Sequence, residues 1–491
     1  MVLDISDAKA DGPTHLKLAC NGHTVLVPQP SDDPNDPLNW SGTKKGLILG
    51  TISVAAFLAE FQCTTGNPCI LLQGAEWGIS PDHVNYANNL NVLMVGVGGV
   101  FWIPLISVCG RAPVLLYACL AGTLFTLGCI LAPSFSVFYS LRTIQAFFLT
   151  ALQTIGLAFI QDMFFFHEHA KKIGIWTSCF IISPYFGPLL ANFVLWSTNS
   201  WRAAYWMVFG LGCLVLGLVL LFVDEPWYRR DIAPENQPTK GSRLSRVLGL
   251  WQVKHHAGYF LGPGKAYRRL LYVLLKPIML PIMIYYCFTF MWAVGINQSS
   301  SILFATPVAA GGYGFTDRSL GFIYFTPVVA IIIGEAFGHF FNDYLFARYI
   351  RIHSGIFQPE ARLPSNYIAA VFMIPGIVLV GQALHKHLHY VAIIMGWGMF
   401  VFGCMVASVA ITAYALDSYP TGSGEVSGLI NFSRIIGGFA VPYFQQPWGL
   451  TDGYNITFGV QAAIIGFALW ILVCIHVFGA RLRARGGTLD S

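Results

Sequence analysis

Long apolar stretches alternate with short polar segments along almost the whole chain. Twelve of these stretches reach or approach the ~20 residues that a helix needs to cross a bilayer. Lipid offers no partner to backbone N–H and C=O groups, so each stretch must form a helix, and the short alternating segments of a membrane β-barrel are not seen. The pattern therefore predicts twelve transmembrane helices, at residues 46–70, 86–108, 113–133, 136–161, 174–196, 203–223, 277–303, 319–341, 365–384, 389–412, 425–446 and 456–479.

A polar segment at 224–276 separates the first six apolar stretches from the last six. It contains DEPWYRR, proline and glycine breaks and several basic residues, which favours short amphipathic helices on the membrane surface. The two halves correspond weakly, because the second and eighth stretches each lead to a short basic loop and the fourth and tenth each end in an acid. We therefore expect an all-α integral membrane protein with two six-helix bundles, 45–223 and 277–479, related by a pseudo-two-fold axis. The polar ends, 1–44 and 480–491, are predicted to be cytoplasmic tails, the first of them disordered.

The composition agrees with a membrane protein: 55% of the residues are hydrophobic, 10% are charged, and the mean hydropathy is +0.61. These values exclude a soluble globular chain. Most of the 28 Lys and Arg residues lie on one side of the twelve-helix arrangement, which places both termini in the cytoplasm by the positive-inside rule. The net charge of +5 reflects this bias and gives no reason to expect nucleic-acid binding. The five exceptions are Arg202, Arg318 and Lys386 on the opposite side, and Arg142 and Arg434 within helices.

The sequence predicts neither a metal site nor a cofactor. Its 11 cysteines have no CxxC or metal-like spacing, and Cys63 and Cys69 should face different sides of a helix. The segment HKHLH at 385–389 lies in a predicted loop, where exposed histidines usually bind nothing specific. The phosphate-binding pattern GxxxxGK[ST] is missing, which argues against ATP as the energy source.

The fifth stretch carries small residues and a proline at fixed offsets, in the frame G-x8-S-x3-G-P-x2-A-N. The marked positions are Gly174, Ser183, Gly187, Pro188, Ala191 and Asn192. Small residues at such spacing let two backbones approach closely, so this helix should pack tightly on another one. The frame resembles the fifth-helix motif of proton-linked antiporters in the major facilitator superfamily, G-x8-G-x3-G-P-x2-G-G. Asn192 places an amide where that motif has only backbone, so it is a candidate to line a solute path.

Further segments resemble the fungal twelve-helix drug:proton antiporter-like branch of that superfamily, from about Asp36 to Arg485. They include DPLNWSGTKK, GVFWIPLISVCGRAPV, the segment 142–176, NDYLFARYIRIHSGIFQPEARL and ALDSYPTGSGEVSGLINFSR. The resemblance implies alternating access between two bundles, with a solute site near the middle of the membrane. The residues that match its gating and motif positions are Gly110, Arg111, Asp162, Gly187, Pro188, Asn342, Asp343, Arg348 and Asp417.

The loop after the second helix departs from the family motif at two charged positions. Ser107 occupies the acidic position, and Ala112 occupies the second basic position. In the family, the acid and the arginines pair with neighbouring helix ends and hold one gated state. Arg111 is therefore left to pair elsewhere: either the gate is looser than the family norm, or Asp162 of the fourth helix holds it.

Two charges within predicted helices are candidates for solute binding or proton coupling, because a charge in lipid costs about 3 kcal/mol even on the gentler scales. Glu60, in AAFLAEFQC, could bind a cationic solute or carry the proton; the alternative is a structural ion pair with an arginine on another helix. Arg434 is either an anchor for an anion or the partner of an acid, with Asp417 or Glu425 as that acid.

Arg142 and Glu335 each allow two interpretations. Arg142 matches the arginine that the family links to proton coupling, but its place near a helix end also suits a side chain that reaches the outer surface. Glu335 lies beside Gly334 and one turn from His339, which suggests a two-step proton path. The alternative is that Glu335 bonds to a neighbouring helix, packed through Gly334 and Gly338.

One face of the seventh helix is aromatic and polar. It consists of Tyr285, Trp292, Ile296 and Ser299, with Asn297 and Gln298 at adjacent positions. Such a face suits a cavity for an amphiphilic or cationic ligand, or else packs against lipid and protein. The candidate substrate and proton-coupling residues are therefore Glu60, Arg142, Asn192, Tyr285, Trp292, Asn297, Glu335, Asn431 and Arg434.

The sequence as a whole predicts a secondary active transporter that moves a small organic solute, such as a drug, a metabolite or a cationic amphiphile, by alternating access. Proton-coupled export is the leading hypothesis; proton-linked uptake of a polyamine-like or nutrient solute and a transport-deficient sensor are the alternatives. A membrane enzyme is disfavoured, because its one candidate constellation, HEH at 167–169, already fits the transporter pattern. We expect a monomer in the plasma membrane, with the vacuole as alternative, whose partners are the solute, a proton and the bilayer.

Overall fold

The computed structural model describes residue 17 and residues 26–239, 241–310, 312–353 and 358–487. Within these residues the protein is helical and contains no β-strand. The predicted all-α membrane fold is therefore confirmed. Most of the tail at 1–25 lies outside the described residues.

Twelve long helical segments follow one another and are numbered here as spans 1 to 12. Eleven are long and apolar enough to cross a membrane; span 11, with 30 residues, is more polar. Span 4 consists of Phe135–Thr154 and Gly156–Met163, and span 8 of Asp317–Ile323 and Phe325–Ile352. The others are Gly42–Thr65 (1), Pro81–Cys109 (2), Arg111–Ile130 (3), Phe166–Thr198 (5), Trp201–Phe222 (6), Met279–Phe304 (7), Pro364–Lys386 (9), Tyr390–Ser418 (10), Ser423–Asp452 (11) and Tyr454–Gly486 (12).

Shorter helices connect the spans. Spans 8 and 12 extend further than predicted, so that the last helix takes up most of the expected tail at 480–491. The segment between the halves contains the short helices that its composition predicts. The connecting α-helices are Ile70–Trp77, Arg243–Val247, Leu250–Lys254, His256–Tyr259 and Pro263–Leu274, and the 3-10 helices are Pro37–Asn39, Pro234–Asn236, Val308–Ala310, Pro359–Arg362 and Pro420–Gly422.

The buried apolar residues form two main clusters, as two bundles require. One cluster is built from spans 1 to 6, and the other mostly from spans 7 to 12. Span 5 also contributes to the second cluster, through Ile181, Tyr185 and Leu189. Span 5 thus lies at the boundary between the bundles.

Span 5 packs directly on the backbone of span 1 at Gly187. A Cβ at this position would lie 2.6 Å from the carbonyl oxygen of Phe61 and 2.6 Å from Oγ1 of Thr64. No side chain larger than hydrogen fits there without a backbone shift. By contrast, a Cβ at Gly174, on the same helix, would meet nothing within 4 Å. The close approach predicted from the frame therefore exists, and Gly187 is the residue that allows it.

A buried ionic network joins the start of span 1 to the segment after span 6. Asp224 accepts hydrogen bonds from Nζ of Lys44 at 2.7 Å and from Nε of Arg246 at 2.8 Å. Burial alone would raise the pKa of Asp224, but the two cations outweigh burial and hold the pKa below its usual range. Asp36 is also fully buried and pairs with Arg230 at 3.2 Å. The last part of the tail therefore packs against the segment after span 6.

These contacts define one face of the protein. Asp36 pairs with Arg230, and Nζ of Lys276 donates to the carbonyl oxygen of Gly486 at the end of span 12. The face that carries the residues before span 1, the segment 223–278 and the end of span 12 is called the terminal face below.

Substitution Gly187→Ala should destabilise the protein by about 1–3 kcal/mol, because the new methyl group overlaps the backbone of span 1. Thermal unfolding of the detergent-purified protein measures the effect. Gly174→Ala is the matched control and should leave the unfolding temperature unchanged or slightly higher. Equal effects of the two substitutions would contradict this account of the packing.

Substitution Asp224→Asn should lower stability by about 3 kcal/mol at neutral pH, because it leaves two cations with no carboxylate. Because the pKa of Asp224 is lower in the folded protein than in the unfolded chain, its carboxylate stabilises the folded state at pH values above the unfolded-chain pKa. This contribution is lost as the pH falls through the pKa of the folded state. The difference between variant and wild type should therefore shrink below about pH 4. Asp231→Asn, which removes an exposed partner of Arg229, is the control and should change stability by less than about 1 kcal/mol.

Candidate functional site

A buried ion pair joins the two bundles. Nη2 of Arg434, on span 11, lies 2.6 Å from Oε1 of Glu60, on span 1, and both side chains are more than nine-tenths buried. The same nitrogen donates to Oδ1 of Asn431 at 2.8 Å. Of the alternatives left open by the sequence, an ion pair with an arginine on another span is thus the one observed for Glu60.

The two acids expected as partners of Arg434 pair elsewhere, so that prediction is wrong. Asp417 contacts Nε of Arg362 at 2.5 Å, and Glu425 contacts Arg269 at 3.0 Å. Both acids lie at helix ends on the terminal face, whereas Arg434 lies 9 residues beyond Glu425. That separation is about 14 Å along the helix, beyond the reach of the side chains.

A narrow cavity of about 30 Å³, with space for only a few water molecules, surrounds the ion pair between the bundles. Its wall on span 7 is a single helical face, Phe290, Ala293, Val294, Asn297 and Gln298. The remaining lining residues are Glu60, Cys63, Thr64, Val92, Ile181, Pro184, Tyr185, Met405, Arg434 and Ile435. The cavity is mostly apolar with one ion pair and two amides, the composition of a site for a small amphiphilic molecule.

Asn297 connects span 7 to span 5 through a carbonyl that a proline leaves free. Pro188 has no N–H, so the carbonyl of Pro184, one turn earlier, lacks its helical partner. Nδ2 of Asn297 donates to that carbonyl at 3.0 Å, and Oδ1 of Asn297 accepts from the hydroxyl of Tyr324 at 3.0 Å. Nδ2 of Asn67 donates to the backbone carbonyl of Asn297, also at 3.0 Å. Asn297 is therefore a contact between the bundles as well as a lining residue.

Tyr285 and Trp292 do not line this cavity, although the sequence proposed them for it. The hydroxyl of Tyr285 donates to Oδ1 of Asn366 on span 9 at 3.0 Å, and the ring of Trp292 lies against Phe444 of span 11. Both side chains are buried, so the packing alternative describes them. The asparagine and glutamine adjacent to the aromatic stripe face the cavity instead.

Asn192 also lies outside the cavity lining. Its Nδ2 donates to the carbonyl oxygen of Pro188 on the same helix at 2.7 Å. The side chain is fully buried. The solute-path role suggested by its position in the motif has no support from this placement.

Arg142 is fully buried and does not extend to an outer surface, so the snorkelling alternative is wrong. Its Nη1 donates to the side-chain oxygens of Gln62 and Gln145, and its Nη2 to the backbone carbonyls of Gln62 and Cys63. These carbonyls belong to the last turn of span 1, where helical partners are missing and a positive charge is favoured. Arg142 therefore caps the end of span 1, one turn beyond Glu60.

Glu335 lies on span 8 within the second bundle. Its Oε1 is 4.0 Å from Nε2 of His339, whose side chain is about half exposed. Its Oε2 is buried and has no hydrogen-bond partner among the described residues. Gly334 and Gly338 pack on span 10, as the small-residue spacing predicts. The carboxyl and the imidazole are thus arranged from a buried to a more exposed position.

Each bundle carries a charged pair at equivalent places on the terminal face. Nε of Arg111, after span 2, lies 3.0 Å from Oδ2 of Asp162 at the end of span 4. Arg362, after span 8, pairs with Asp417 at the end of span 10 and contacts Asp343 at 3.5 Å. The pairing of Arg111 with Asp162 is one of the two alternatives left open above. Among the other motif residues, Asn342 is buried and Arg348 is exposed.

Glu225 is a functional candidate that the sequence did not reveal. Its carboxylate accepts from the backbone N–H groups of Arg111 at 3.2 Å and Ala112 at 3.0 Å, at the first turn of span 3. Gly110 allows this approach, since it has a φ of +88° and a Cβ there would lie 2.7 Å from Oε2 of Glu225. Burial raises the pKa of Glu225, against the opposing effect of Arg111. An acid from beyond span 6 thus occupies the loop whose motif acid is replaced by Ser107.

Known proteins resemble this chain along most of its length. The sequence matches the Major Facilitator Superfamily over residues 52–442. The cycloheximide resistance protein of Candida maltosa is 23% identical over 487 residues, covering 94% of this chain and 85% of that protein. The multidrug transporter mdrA of Aspergillus fumigatus is 24% identical, covering 92% and 74%.

The fold is similar to that of a solved transporter. The xylose transporter XylE from E. coli, in a partially occluded inward-open conformation, superimposes with a TM-score of 0.62 over 89% of this chain and 98% of that one, at 12% identity. The sequence match and the two helical bundles lead to the same conclusion: the chain belongs to the Major Facilitator Superfamily, a family of membrane transporters.

Proposed function

We propose that the protein is a proton-coupled secondary active transporter for a small organic solute, and that Glu60 is the group that carries the proton. The observation that supports this most directly is the buried pair of Glu60 and Arg434 in the cavity between the bundles. Protonation removes the charge of Glu60 and with it the ionic attraction between span 1 and span 11. A group whose protonation weakens a contact between two bundles shifts the balance between their arrangements.

The electrostatics favour a coupled event rather than simple loss of the pair. Breaking a buried ion pair by neutralising one partner leaves the other charge uncompensated, at a cost of about 3–5 kcal/mol. Arg434 therefore needs a replacement partner when Glu60 takes up a proton. A solute in the cavity lies within reach of Arg434, and the amides of Asn297 and Asn431 add hydrogen-bonding groups nearby.

Export is the direction that the relatives support. One is a cycloheximide resistance protein and another is a multidrug transporter by name. The alternatives are proton-linked uptake of a polyamine-like or other nutrient solute and a sensor without transport. The same bundles can operate in either direction, because the gradients decide the net flux. No chemical conversion of the solute is part of the proposal.

Two further features, the Glu335–His339 pair and Arg142, have supporting roles in this proposal. Glu335 and His339 form a second place at which a proton could bind, since they extend from the interior of span 8 to a more exposed position. Arg142 holds the end of span 1 and so fixes the position of Glu60. Neither contacts the Glu60–Arg434 pair directly.

The proposed gate lies on the terminal face. The pairs Arg111–Asp162 and Arg362–Asp417 occupy equivalent places in the two bundles, taken as 45–223 and 277–479. We assign this face to the cytoplasm, with both tails and the segment 224–276, because it carries most of the basic residues. The proposed setting is a monomer in the plasma membrane, with the vacuolar membrane as alternative.

Substitution Glu60→Gln should abolish proton-dependent flux while the protein still inserts into the membrane, because glutamine cannot exchange a proton. The measurement is uptake and efflux of a panel of organic solutes in proteoliposomes, with and without an imposed pH gradient. Glu335→Gln in the same assay should reduce the rate of coupled flux without abolishing it.

The matched control is Glu76→Gln, which removes a carboxylate paired with Arg202 at 2.7 Å, at the end opposite the terminal face and away from the cavity. It should retain wild-type coupling. Wild-type proton dependence in Glu60→Gln would remove Glu60 from the mechanism. A pH gradient without effect on any solute in the wild-type protein would contradict proton coupling altogether.

A further inference from the structure

We propose that the transported solute carries an anionic group that binds Arg434, and that it binds together with the proton on Glu60. This inference rests on the proposed function and specifies the class of its substrate. It differs from the cationic amphiphile suggested by the sequence alone.

The charges near the cavity are predominantly positive. Among the described residues that line it, Glu60 and Arg434 are the charged ones. Arg142 lies just beyond, bonded to the carbonyl of Cys63, and every hydrogen bond of its guanidinium goes to an uncharged oxygen. Two arginines thus accompany one carboxylate here. Protonation of Glu60 leaves a surplus of two positive charges, which an anion would reduce and a cation would increase.

Arg434 has hydrogen-bonding capacity left for a ligand. Both of its side-chain hydrogen bonds, to Glu60 and Asn431, use the single nitrogen Nη2. Within the described part of the chain, its Nε and Nη1 donate to no other group. A guanidinium carries five N–H donors in a planar fork, which matches a carboxylate in a two-point contact. Arg434 can therefore bind an anionic group of the solute, either in addition to Glu60 or in place of it.

Glu60 and an anionic solute compete for the same arginine. With Glu60 ionised, Arg434 is already neutralised, and a second negative charge in the buried site is disfavoured. With Glu60 protonated, the solute's anionic group takes over the pairing. Proton and anion therefore favour each other's binding, and by linkage the effect is reciprocal. They cross the membrane together, so net export requires an outward gradient of the anion that exceeds the inward gradient of protons.

The groups that face Glu60 from the surrounding helices support an anionic rather than a cationic solute. The titratable or charged ones are Cys63 on span 1, Arg142 on span 4, Tyr185 on span 5 and Arg434 on span 11. Spans 2, 7 and 10 contribute apolar residues and the two amides to the same wall. None of the described groups is a second carboxylate. A cationic solute would therefore have to displace Arg434 from Glu60 to find a negatively charged partner.

The rest of the wall indicates the body of the solute. Ile181, Phe290 and Val294 give an apolar surface, and the ring of Phe290 lies 5.4 Å from the guanidinium of Arg434. Oε1 of Gln298 is buried and has no hydrogen-bond partner among the described residues. A small amphiphilic organic acid, with an apolar or aromatic body and a donor such as a hydroxyl group, fits this arrangement.

Three probes of the same shape and different charge test the proposal: benzoate, benzamide and benzamidine. Binding to the detergent-purified full-length protein is measured by thermal-shift titration at about pH 6 and about pH 7.5, where benzoate is ionised throughout. Wild type should bind benzoate about tenfold more tightly at the lower pH. Benzamide and benzamidine should bind at least about tenfold more weakly than benzoate.

The Glu60→Gln variant should bind benzoate more tightly than wild type does at about pH 7.5. A misfolded variant would lose binding and could not give this result. Glu60→Gln should bind benzoate at about pH 7.5 at least as tightly as wild type does at about pH 6, with no pH dependence left. Arg434→Gln should lose benzoate binding, and Glu76→Gln should keep the wild-type profile. Preferential binding of benzamidine, or benzoate affinity that is unchanged by Glu60→Gln, would overturn the proposal.

The outcomes separate this inference from the proposed function. If Glu60→Gln abolishes proton-dependent flux but gains no benzoate affinity, Glu60 carries the proton and the anion site is wrong. If Glu60→Gln gains benzoate affinity but wild type shows no proton-dependent flux, the anion site stands and proton-coupled transport is wrong.

Discussion

The pairing of Glu60 with Arg434 is a buried ionic contact that joins the two bundles. Neither charge is stable alone inside a membrane-spanning helix, so each requires the other as long as both are ionised. The partners are 374 residues apart in the chain and belong to different bundles. The ion pair therefore holds spans 1 and 11 together as long as both residues are charged. The cavity around the pair, the cap that Arg142 provides and the bridge through Asn297 all lie on the same boundary between the bundles.

The helices were predictable from the sequence because hydropathy acts locally, whereas the charge pairs were not. Span lengths follow from runs of apolar residues, and the close packing at Gly187 follows from small residues at fixed spacing. Distance along the sequence alone favours the nearby acids Asp417 and Glu425 as partners of Arg434. In the fold, helix length carries Arg434 away from Glu425 and towards Glu60. Helical periodicity likewise favours the aromatic stripe of span 7 as the cavity wall, whereas the adjacent Asn297 and Gln298 line the cavity.

One departure of span 5 from the motif that it resembles, Ser183, has a local explanation. Each proline lacks an N–H and so frees the carbonyl of the residue four positions earlier. Pro184 frees the carbonyl of Phe180, and Oγ of Ser183 donates to that oxygen at 2.8 Å. Pro188 frees the carbonyl of Pro184, which Asn297 satisfies from span 7. A serine where the family has glycine thus supplies a hydrogen bond that the lipid cannot provide.

Glu225 has a consequence for how the first bundle is delimited. Its carboxylate completes the start of span 3, and Gln252, further along the same segment, donates to that carboxylate at 3.1 Å. The structural unit formed by the first six spans therefore does not end with span 6 at Phe222. During synthesis, this bundle cannot complete its terminal face until the chain has been extended by about thirty further residues. The segment between the bundles is thus partly a component of the first bundle, and a cut made directly after span 6 would divide a folding unit rather than a linker.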